Sequence, residues 1–434
     1  MTRTQAMLVA ALCSAVNIQA ADEMVVTIGH VAPLTGNISH LGKDNENGAR
    51  LALEDYNAKG MVIGGKQVRF ELLCEDDQAD PRVGNIVAQR LVDAGVKGVV
   101  GHLNSGTTIP ASRIYHQAHL PMVSPSATNP TLTRQGFETV FRTMANDIQQ
   151  GAVLGKFAVS LGKKVAIIDD RTAYGQGLAD EVAKGVVAAG GKVVTREFTS
   201  NQATDFLAIL TKLKASDPDV LFYGGMDAQA GPMLKQIKQL GIGAKFMTGD
   251  GGCTATLATL AGDAVSENTY CSQTGLPPDQ MADKGFNERF QKRFDAKVQV
   301  YAHYAYDAAA AILEAMKAAD SVEPEKYLPA LKKVSFQGVT GPVAFDERGD
   351  TQHGAVTLYQ FRNGKMVPLS PPRPGRQDKV LATFDSNSTR SIWIFCFSRS
   401  SMVWWWAAFM RSSPWVTPWF TESSGSSTSP MGKS

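Results

Sequence analysis

The sequence predicts an α/β protein with two sheets of mainly parallel strands, each covered by helices on both faces. The chain has 434 residues, more than the ~250 to 300 at which a single hydrophobic core stops growing. Short apolar runs alternate with longer stretches of helical period, and this alternation occurs twice, over 25–124 and again over 164–248. Two such runs indicate two parallel sheets.

Strands of the first run are predicted over residues 25–32, 68–73, 96–100 and 122–124. A helix over 44–59 has apolar residues at helical spacing and ends at Gly60. After the second strand, Asp80 and Pro81 have the pattern of an N-cap followed by proline at the first helical position. They predict where the next helix begins.

The second run repeats the pattern. Strands are predicted over 164–169, 192–198, 220–223 and 245–248, and helices over 178–189, 206–213 and 233–240. Later segments predict helices over 283–294 and 304–318 and strands over 341–346 and 355–362, with Asn363-Gly364 as a hairpin turn. These late segments could return to either sheet, and the pattern alone does not decide which.

The two ends of the chain differ from the rest. Residues 1–20 have the pattern of an export signal, with Arg3, a short apolar run and a small residue at Ala20, where we expect cleavage. The alternative is the helical or disordered start of a cytoplasmic protein.

Residues 375–434 hold all six tryptophans among many serines, without periodicity. We interpret this tail as a wrong reading frame after a lost stop codon; an interfacial membrane anchor is the alternative.

Several function classes find little support. The net charge is +2, without a basic stripe, so we expect no nucleic-acid partner. The segment 36–43 resembles a phosphate-binding loop but has five residues between its glycines instead of four, and no dinucleotide fingerprint follows the first strand. Neither a nucleophile elbow nor a zinc-ligand spacing is present. We therefore expect no enzyme activity, no metal and no cofactor.

Three cysteines remain between the predicted signal and the tail. Cys253 and Cys271 flank a short helical segment, and we predict that they form a disulfide, which would suit an oxidising compartment. Cys74 lies in an apolar stretch and is predicted to be a buried free thiol.

Hydroxyl residues follow two neighbouring predicted strands. Ser105 comes after the strand that ends near Val100, and Ser126 and Thr128 come after the next one. In a parallel sheet these loops would meet at one edge, where hydroxyls and free N–H groups at helix starts can hold an anionic group. Asp250, in a glycine-rich loop after a later strand, could hold a cationic group. Each residue could instead be only a helix cap or a turn residue.

Motifs along the chain resemble the periplasmic leucine-isoleucine-valine binding proteins of ATP-driven importers. They occur in the family's order over about 25–364, nearly the whole mature chain: Gly101-His102-Leu103, Ser105, Pro110-Ala111-Ser112, Pro125, Ala127-Thr128, Tyr174-Gly175-Gln176-Gly177 and Tyr223-Gly224-Gly225.

The resemblance implies a type I periplasmic binding protein fold, in which three crossing segments join two Rossmann-like lobes. Residues 21–145 plus 275–355 would form the first lobe, and 146–274 plus 356–374 the second. Ser105 and Thr128 would bind an α-carboxylate, the Ser126 carbonyl and Asp250 an ammonium group, and Tyr174 would close over the ligand. The implied ligand-binding set is Leu41, Ser105, Ser126, Ala127, Thr128, Tyr174, Met226, Asp250 and Tyr301.

Three departures from the family pattern limit the implied ligand. Leu41 and Met226 stand where the family has tyrosines, and Ala79 and Asn104 replace a disulfide of the first lobe. The resemblance implies a monomeric periplasmic protein that captures a branched-chain amino acid by hinge closure and delivers it to an ABC permease. Another amino acid, an amide or a small carboxylate stays open as ligand. The alternatives in function are a ligand sensor of the same fold and an exported hydrolase of small amides.

Overall fold

The computed structural model describes residues 23–369; the predicted export signal and the predicted tail lie outside the described residues. Two large sheets organise this part of the chain, and a small two-stranded sheet joins β12 (Ser335–Gln337) to β13 (Pro342–Ala344). The predicted fold class, with parallel-rich sheets and helices around them, is confirmed. We call the first sheet with its helices the first half, and the second sheet with its helices the second half.

Six strands form the first sheet, in the order β2-β3-β1-β4-β5-β6. All neighbours are parallel except the antiparallel pair β2 and β3. Two strands of this sheet, β2 and β6, were not predicted. The strands are β1 (Met24–Ala32), β2 (Met61–Ile63), β3 (Lys66–Asp76), β4 (Val99–Gly101), β5 (Met122–Ser124) and β6 (Val140–Arg142).

Seven strands form the second sheet, in the order β15-β14-β11-β10-β9-β7-β8. The five strands β7 to β11 are all parallel to their neighbours within this group. Strands β14 and β15 add an antiparallel edge beside β11. The strands are β7 (Lys164–Asp169), β8 (Lys192–Phe198), β9 (Val220–Gly224), β10 (Lys245–Thr248), β11 (Thr269–Gln273), β14 (Thr357–Arg362) and β15 (Lys365–Pro368).

Helices connect the strands and cover the sheets. The predicted N-cap is confirmed: the Asp80 carboxylate accepts hydrogen bonds from the N–H groups of Arg82 and Val83. The helices are α1 (Ser39–Lys59), α2 (Pro81–Asp93), α3 (Ser105–Gln117), α4 (Asp147–Leu161), α5 (Ala173–Ala188), α6 (Leu207–Lys214), α7 (Asp227–Gln239), α8 (Ala255–Ala261), α9 (Phe286–Phe294), α10 (Ala302–Ala318) and α11 (Pro324–Leu331). None of the helices within 23–369 is long and apolar enough to cross a membrane.

The late segments divide between the two sheets. Helix α10 packs against the first sheet, and its Ile312 and Leu313 share a core with Ile28 of β1. Helices α1 and α10 approach so closely that a Cβ at Gly48 would lie 2.1 Å from the Ala302 carbonyl oxygen. Strands β14 and β15 instead extend the second sheet, so the chain crosses between the halves more than once.

Two local predictions are confirmed in the second half. Asn363 and Gly364 connect β14 to β15 with φ values of 50° and 72°, as a two-residue hairpin turn requires. Cys253 and Cys271 form a disulfide that joins the segment after β10 to β11. Cys74 is a free thiol, as predicted, but it is only partly buried. Its sulfur accepts a hydrogen bond from the Arg50 guanidinium at 3.4 Å.

Candidate ligand-binding site

The predicted binding residues mostly lie just beyond the carboxyl ends of parallel strands. Leu41 follows β1, Ser105 follows β4, and Ser126 and Thr128 follow β5; Tyr174, Met226 and Asp250 follow β7, β9 and β10. In both sheets the strand order reverses near these loops, since β1 lies between β3 and β4, and β7 between β8 and β9. Ligands of open α/β sheets bind at such positions.

The two hydroxyl loops are neighbours because β4 and β5 pair in parallel. Ser105 is the first residue of α3, whose first N–H groups have no acceptor within the helix. Its hydroxyl accepts a hydrogen bond from the Asn129 N–H at 3.2 Å, which ties the two loops together. The Thr128 hydroxyl is buried and has no hydrogen-bond partner among residues 23–369.

Ser126 has a different environment from the other two hydroxyl residues. Its hydroxyl donates to the Leu103 carbonyl oxygen at 3.1 Å and accepts from the Asn45 side chain, also at 3.1 Å. Asn45 in turn contacts His30 at 3.2 Å, so a buried polar network holds this serine. The Ser126 hydroxyl therefore belongs to the scaffold, and only its backbone carbonyl is left for the predicted contact.

A buried arginine fixes the second hydroxyl loop. Arg142, at the end of β6, donates to the carbonyl oxygens of Ala127 and Asn129, both at 2.9 Å, and pairs with Asp350 through Nε at 3.0 Å. Burial opposes ionisation of Asp350, but Arg142 and the other donors bring the pKa of this carboxyl below its ordinary value. Arg142 has no exposed surface, so its charge acts inside the protein.

Asp250 is the centre of the second group of polar residues. Its carboxylate is 1% exposed and accepts hydrogen bonds from Tyr174 at 3.0 Å and from Tyr301 at 2.8 Å. The Tyr174 hydroxyl also accepts from the Gly251 N–H at 2.9 Å. Burial raises the pKa of Asp250 above its ordinary value, although the hydroxyl donors partly oppose this. The site thus holds a carboxylate that gains from a positive partner.

Three hydrogen bonds join the two halves around this centre. Tyr301, just before α10 of the first half, reaches Asp250 in the second. His40 of α1 contacts the buried Asp227 of α7 at 2.8 Å, and the Asn129 side chain donates to the carbonyl oxygen that precedes Tyr174 at 2.6 Å. The loops of both sheets therefore meet face to face.

Two of the predicted apolar residues, Leu41 and Met226, meet in the same region, whereas Ala127 packs in a separate core of the first half. Leu41 and Met226 belong to one buried cluster that also contains Tyr174, Tyr301 and Leu103. Leu41 has no exposed surface and Met226 is 8% exposed. An apolar group bound near Asp250 would therefore find aliphatic and aromatic neighbours from both halves.

Two further residues of this region were not predicted from the sequence. Asp147 and Gln150 come from the first turn of α4, which follows β6. The Gln150 amide donates to Ser272 at 2.9 Å, and Gln150 lies close enough to Asp250 to lower its pKa. Asp147 lies beside Thr128, and its N–H donates to the Thr128 carbonyl oxygen at 2.9 Å. In the sequence, an acid in a first helical turn indicates only a favourable interaction with the helix dipole.

The first half offers hydroxyl and N–H donors, and the second half offers acids. The hydroxyl loops and the start of α3 suit an anionic group, and Asp250 with its two tyrosines suits a cationic one. Within the described residues no cluster of three or more His, Cys, Asp or Glu side chains could hold a metal ion.

Most of the chain matches the model of a known protein family. The family model described as "Periplasmic binding protein" matches residues 25–365. The chain belongs to this family. The two-sheet architecture described above is the type I periplasmic binding protein fold.

Among the relatives of this periplasmic binding protein are amino-acid binding proteins. A "Leu/Ile/Val-binding protein homolog 1" of Brucella abortus is 37% identical, over 78% of this chain and 91% of the relative. A "Leucine-, isoleucine-, valine-, threonine-, and alanine-binding protein" of Pseudomonas aeruginosa is 34% identical, over 77% and 90%. The crystal structure of the branched-chain amino acid binding protein LivJ of Streptococcus pneumoniae with isoleucine has a TM-score of 0.72 and 26% identity, over 83% of this chain and 100% of that one.

Proposed function

We propose that this periplasmic binding protein captures an amino acid, with a branched-chain aliphatic one as first choice, and delivers it to an ABC permease. The proposal depends most on Asp250, a buried carboxylate of the second half that accepts a hydrogen bond from Tyr301 of the first half. A zwitterion needs both groups when it leaves water, because an unpaired buried charge costs many kcal/mol. The names of the relatives support the same ligand class.

In the proposed complex, the α-carboxylate binds the hydroxyl and N–H of Ser105 and Thr128. The ammonium group binds the Ser126 carbonyl, the Thr128 hydroxyl and Asp250. The aliphatic side chain lies among Leu41, Met226 and Tyr301, and Tyr174 closes over the ligand. Ala127, the remaining member of the set, lies between Ser126 and Thr128 in the second hydroxyl loop. We propose no chemical step, so the ligand leaves unchanged.

The two halves correspond in this proposal to two hinged lobes, 21–145 plus 275–355 and 146–274 plus 356–374. The ligand binds the first lobe, and contacts with Tyr174 and Asp250 of the second then favour the closed form through differential affinity. The permease recognises that closed form. The mature protein starts after Ala20, resides in the periplasm and acts as a monomer.

Calorimetric titration with each of the twenty amino acids tests this function. The protein should be unfolded, dialysed and refolded first, because a bound ligand can persist through purification. We expect saturable one-to-one binding of leucine, isoleucine or valine, and ligand recovered chemically intact. Refolded, monodisperse protein that binds no amino acid would overturn the proposal, and conversion of a bound compound would support a hydrolase instead.

A further inference from the structure

An exposed aromatic side chain lies at the carboxyl end of the second sheet. Phe198 is the last residue of β8 and is 56% exposed. Among the exposed large hydrophobic side chains of residues 23–369 it is the one aromatic residue, since the others are valine, leucine and isoleucine. A single exposed hydrophobic side chain is ordinary on a protein surface, so its meaning depends on what surrounds it.

An arginine stacks on this ring. The Cζ atom of the Arg171 guanidinium lies 3.7 Å from the centre of the Phe198 ring, a close cation–π contact. We call these two residues the Arg–Phe pair. Arg171 is exposed and forms no ion pair within residues 23–369. Arg196, on the same strand as the ring, is instead paired with two carboxylates. The Arg–Phe pair therefore presents an unpaired positive charge beside an exposed apolar ring.

Hydrogen bonds fix the shape of the loop that carries Arg171. This residue has a φ of 60°, in the left-handed region that side chains other than glycine rarely adopt. Its N–H donates to the Asp169 carboxylate at 3.0 Å, and the Thr199 N–H donates to the Asp169 carbonyl oxygen at 2.8 Å. These bonds tie the loop after β7 to the end of β8. The Arg–Phe pair is thus arranged by the protein itself, which lowers the cost of binding a partner.

The same loop takes part in the contact between the halves. It leads into α5 with Tyr174, and the Asn129 side chain of the first half donates to the Ala173 carbonyl oxygen at 2.6 Å. Asn129 also packs against α5, since a Cβ at Gly177 would lie 2.4 Å from its Nδ2 atom. Ala173 is two residues from Arg171, within about 7 Å along the chain. The first half therefore lies beside the Arg–Phe pair only while the halves are closed.

We propose that the Arg–Phe pair belongs to the surface by which the closed, liganded protein docks on its ABC permease. This inference rests on the proposed function and names a contact surface for it. Aromatic residues and arginine are enriched in protein interfaces, whereas lysine and acidic residues are depleted. The unpaired guanidinium selects a carboxylate on the permease, and the ring selects an apolar side chain next to it. Because the first half completes this surface only on closure, the permease distinguishes the closed form from the open one.

The test compares ligand binding with docking for one set of variants. The double variant Arg171→Ala/Phe198→Ala removes the Arg–Phe pair. Val187→Ala is the matched control, because Val187 is 65% exposed on α5 of the same half. Calorimetry with L-leucine, or with whichever amino acid binds in the screen above, measures Kd. ATP hydrolysis by the cognate permease in proteoliposomes, followed against the concentration of each liganded protein, measures docking.

The two measurements should respond differently. The double variant should keep the Kd of the ligand within about twofold, because both changes are on the surface and neither residue is a proposed ligand contact. It should need at least about tenfold more protein than the wild type for half-maximal stimulation of the permease. Val187→Ala should match the wild type in both measurements. Arg171→Glu should stimulate less than Arg171→Ala, because it places a like charge opposite the carboxylate of the permease.

The outcomes separate the two proposals. A double variant that stimulates the permease like the wild type overturns the docking role and leaves the proposed function intact. The same holds if the folded double variant loses the ligand, or if sedimentation shows a wild-type dimer that the double variant splits. A wild type that binds no amino acid, or that binds one without stimulating the permease, overturns the proposed function and this inference with it. Arg171→Glu, which keeps the ring, decides if the double variant fails to fold.

Discussion

Replacing Asp250 with asparagine should weaken ligand binding while leaving the fold intact. The carboxylate is 1% exposed and accepts hydrogen bonds from two tyrosine hydroxyls at 3.0 and 2.8 Å. Asparagine has nearly the same shape, but it carries no charge and its amide NH₂ group cannot accept a hydrogen bond. The substitution therefore removes the charge that faces the ammonium and one of two acceptor oxygens.

The expected loss follows from the geometry of the site. Truncating one partner of a buried charge pair costs about 2 to 5 kcal/mol, largely because the other charge stays buried. Asparagine keeps one acceptor, so we expect about 2 to 4 kcal/mol, roughly a 30- to 1,000-fold rise in Kd. The free energy of unfolding of the ligand-free protein, by contrast, should not fall. Because the folded pKa of Asp250 is raised, its ionised form destabilises the ligand-free protein above the unfolded pKa, and at pH 7 the variant should be at least as stable.

Calorimetry and urea unfolding of the ligand-free protein measure the two effects separately. Ser112→Ala is the matched control, because this buried hydroxyl donates only to the Ile109 carbonyl oxygen at 2.7 Å and accepts from Gln135, away from the site. It should leave Kd within about twofold. If Asp250→Asn and Ser112→Ala shift Kd equally little, Asp250 is only a turn residue and the zwitterion model is wrong.

Three further predictions concern the scaffold. Replacing Cys253 and Cys271 with alanine opens a loop of sequence separation 18 and should cost about 3 kcal/mol of unfolding free energy in urea, with little change in Kd. Asp350→Asn leaves Arg142 buried without its anion and should cost about 3 kcal/mol of unfolding free energy. Because the pKa of Asp350 is lowered in the folded protein, the wild type should also lose stability as the pH falls below about 4. The variant should lose less over the same pH range. His40→Ala removes the hydrogen bond between His40 and Asp227 that joins the halves, so affinity should fall about fivefold without a change in the urea midpoint. An unchanged Kd would show that this contact does not stabilise closure.

Much of the scaffold could be predicted because strand and helix periods repeat so regularly. The strand over 164–169 and the turn at Asn363-Gly364 agree with the structure, since local pattern and turn chemistry determine them. Helix α7 begins six residues before its predicted start, with Pro232 inside it, because a polar first turn hides the apolar period. Strand β6 was missed because its three residues, Val140–Arg142, include a charged side chain and form no apolar run.

The site was less predictable because its contacts are distant in sequence. The Ser126 hydroxyl bonds to Asn45, 81 positions away, and no local signal shows that this hydroxyl belongs to the scaffold. Tyr301 reaches Asp250 only because α10 returns to the first half, which the pattern left open and the family resemblance implied. Asp147 has the local signature of an ordinary helix start. Its burial arises from β6, α5 and the hydroxyl loop together.

The return of the chain to the first half has a consequence for the order in which its parts can assemble during synthesis. Helix α10 covers one face of the first sheet, and Asp350 neutralises the arginine that holds the hydroxyl loop, yet both follow the whole parallel part of the second sheet in the chain. An emerging N-terminal segment thus lacks the helix that shields its apolar strands until residues 302–318 have emerged. A fragment that stops before this helix should aggregate, and the hydroxyl loop acquires its final shape only when residue 350 has emerged and can pair with Arg142.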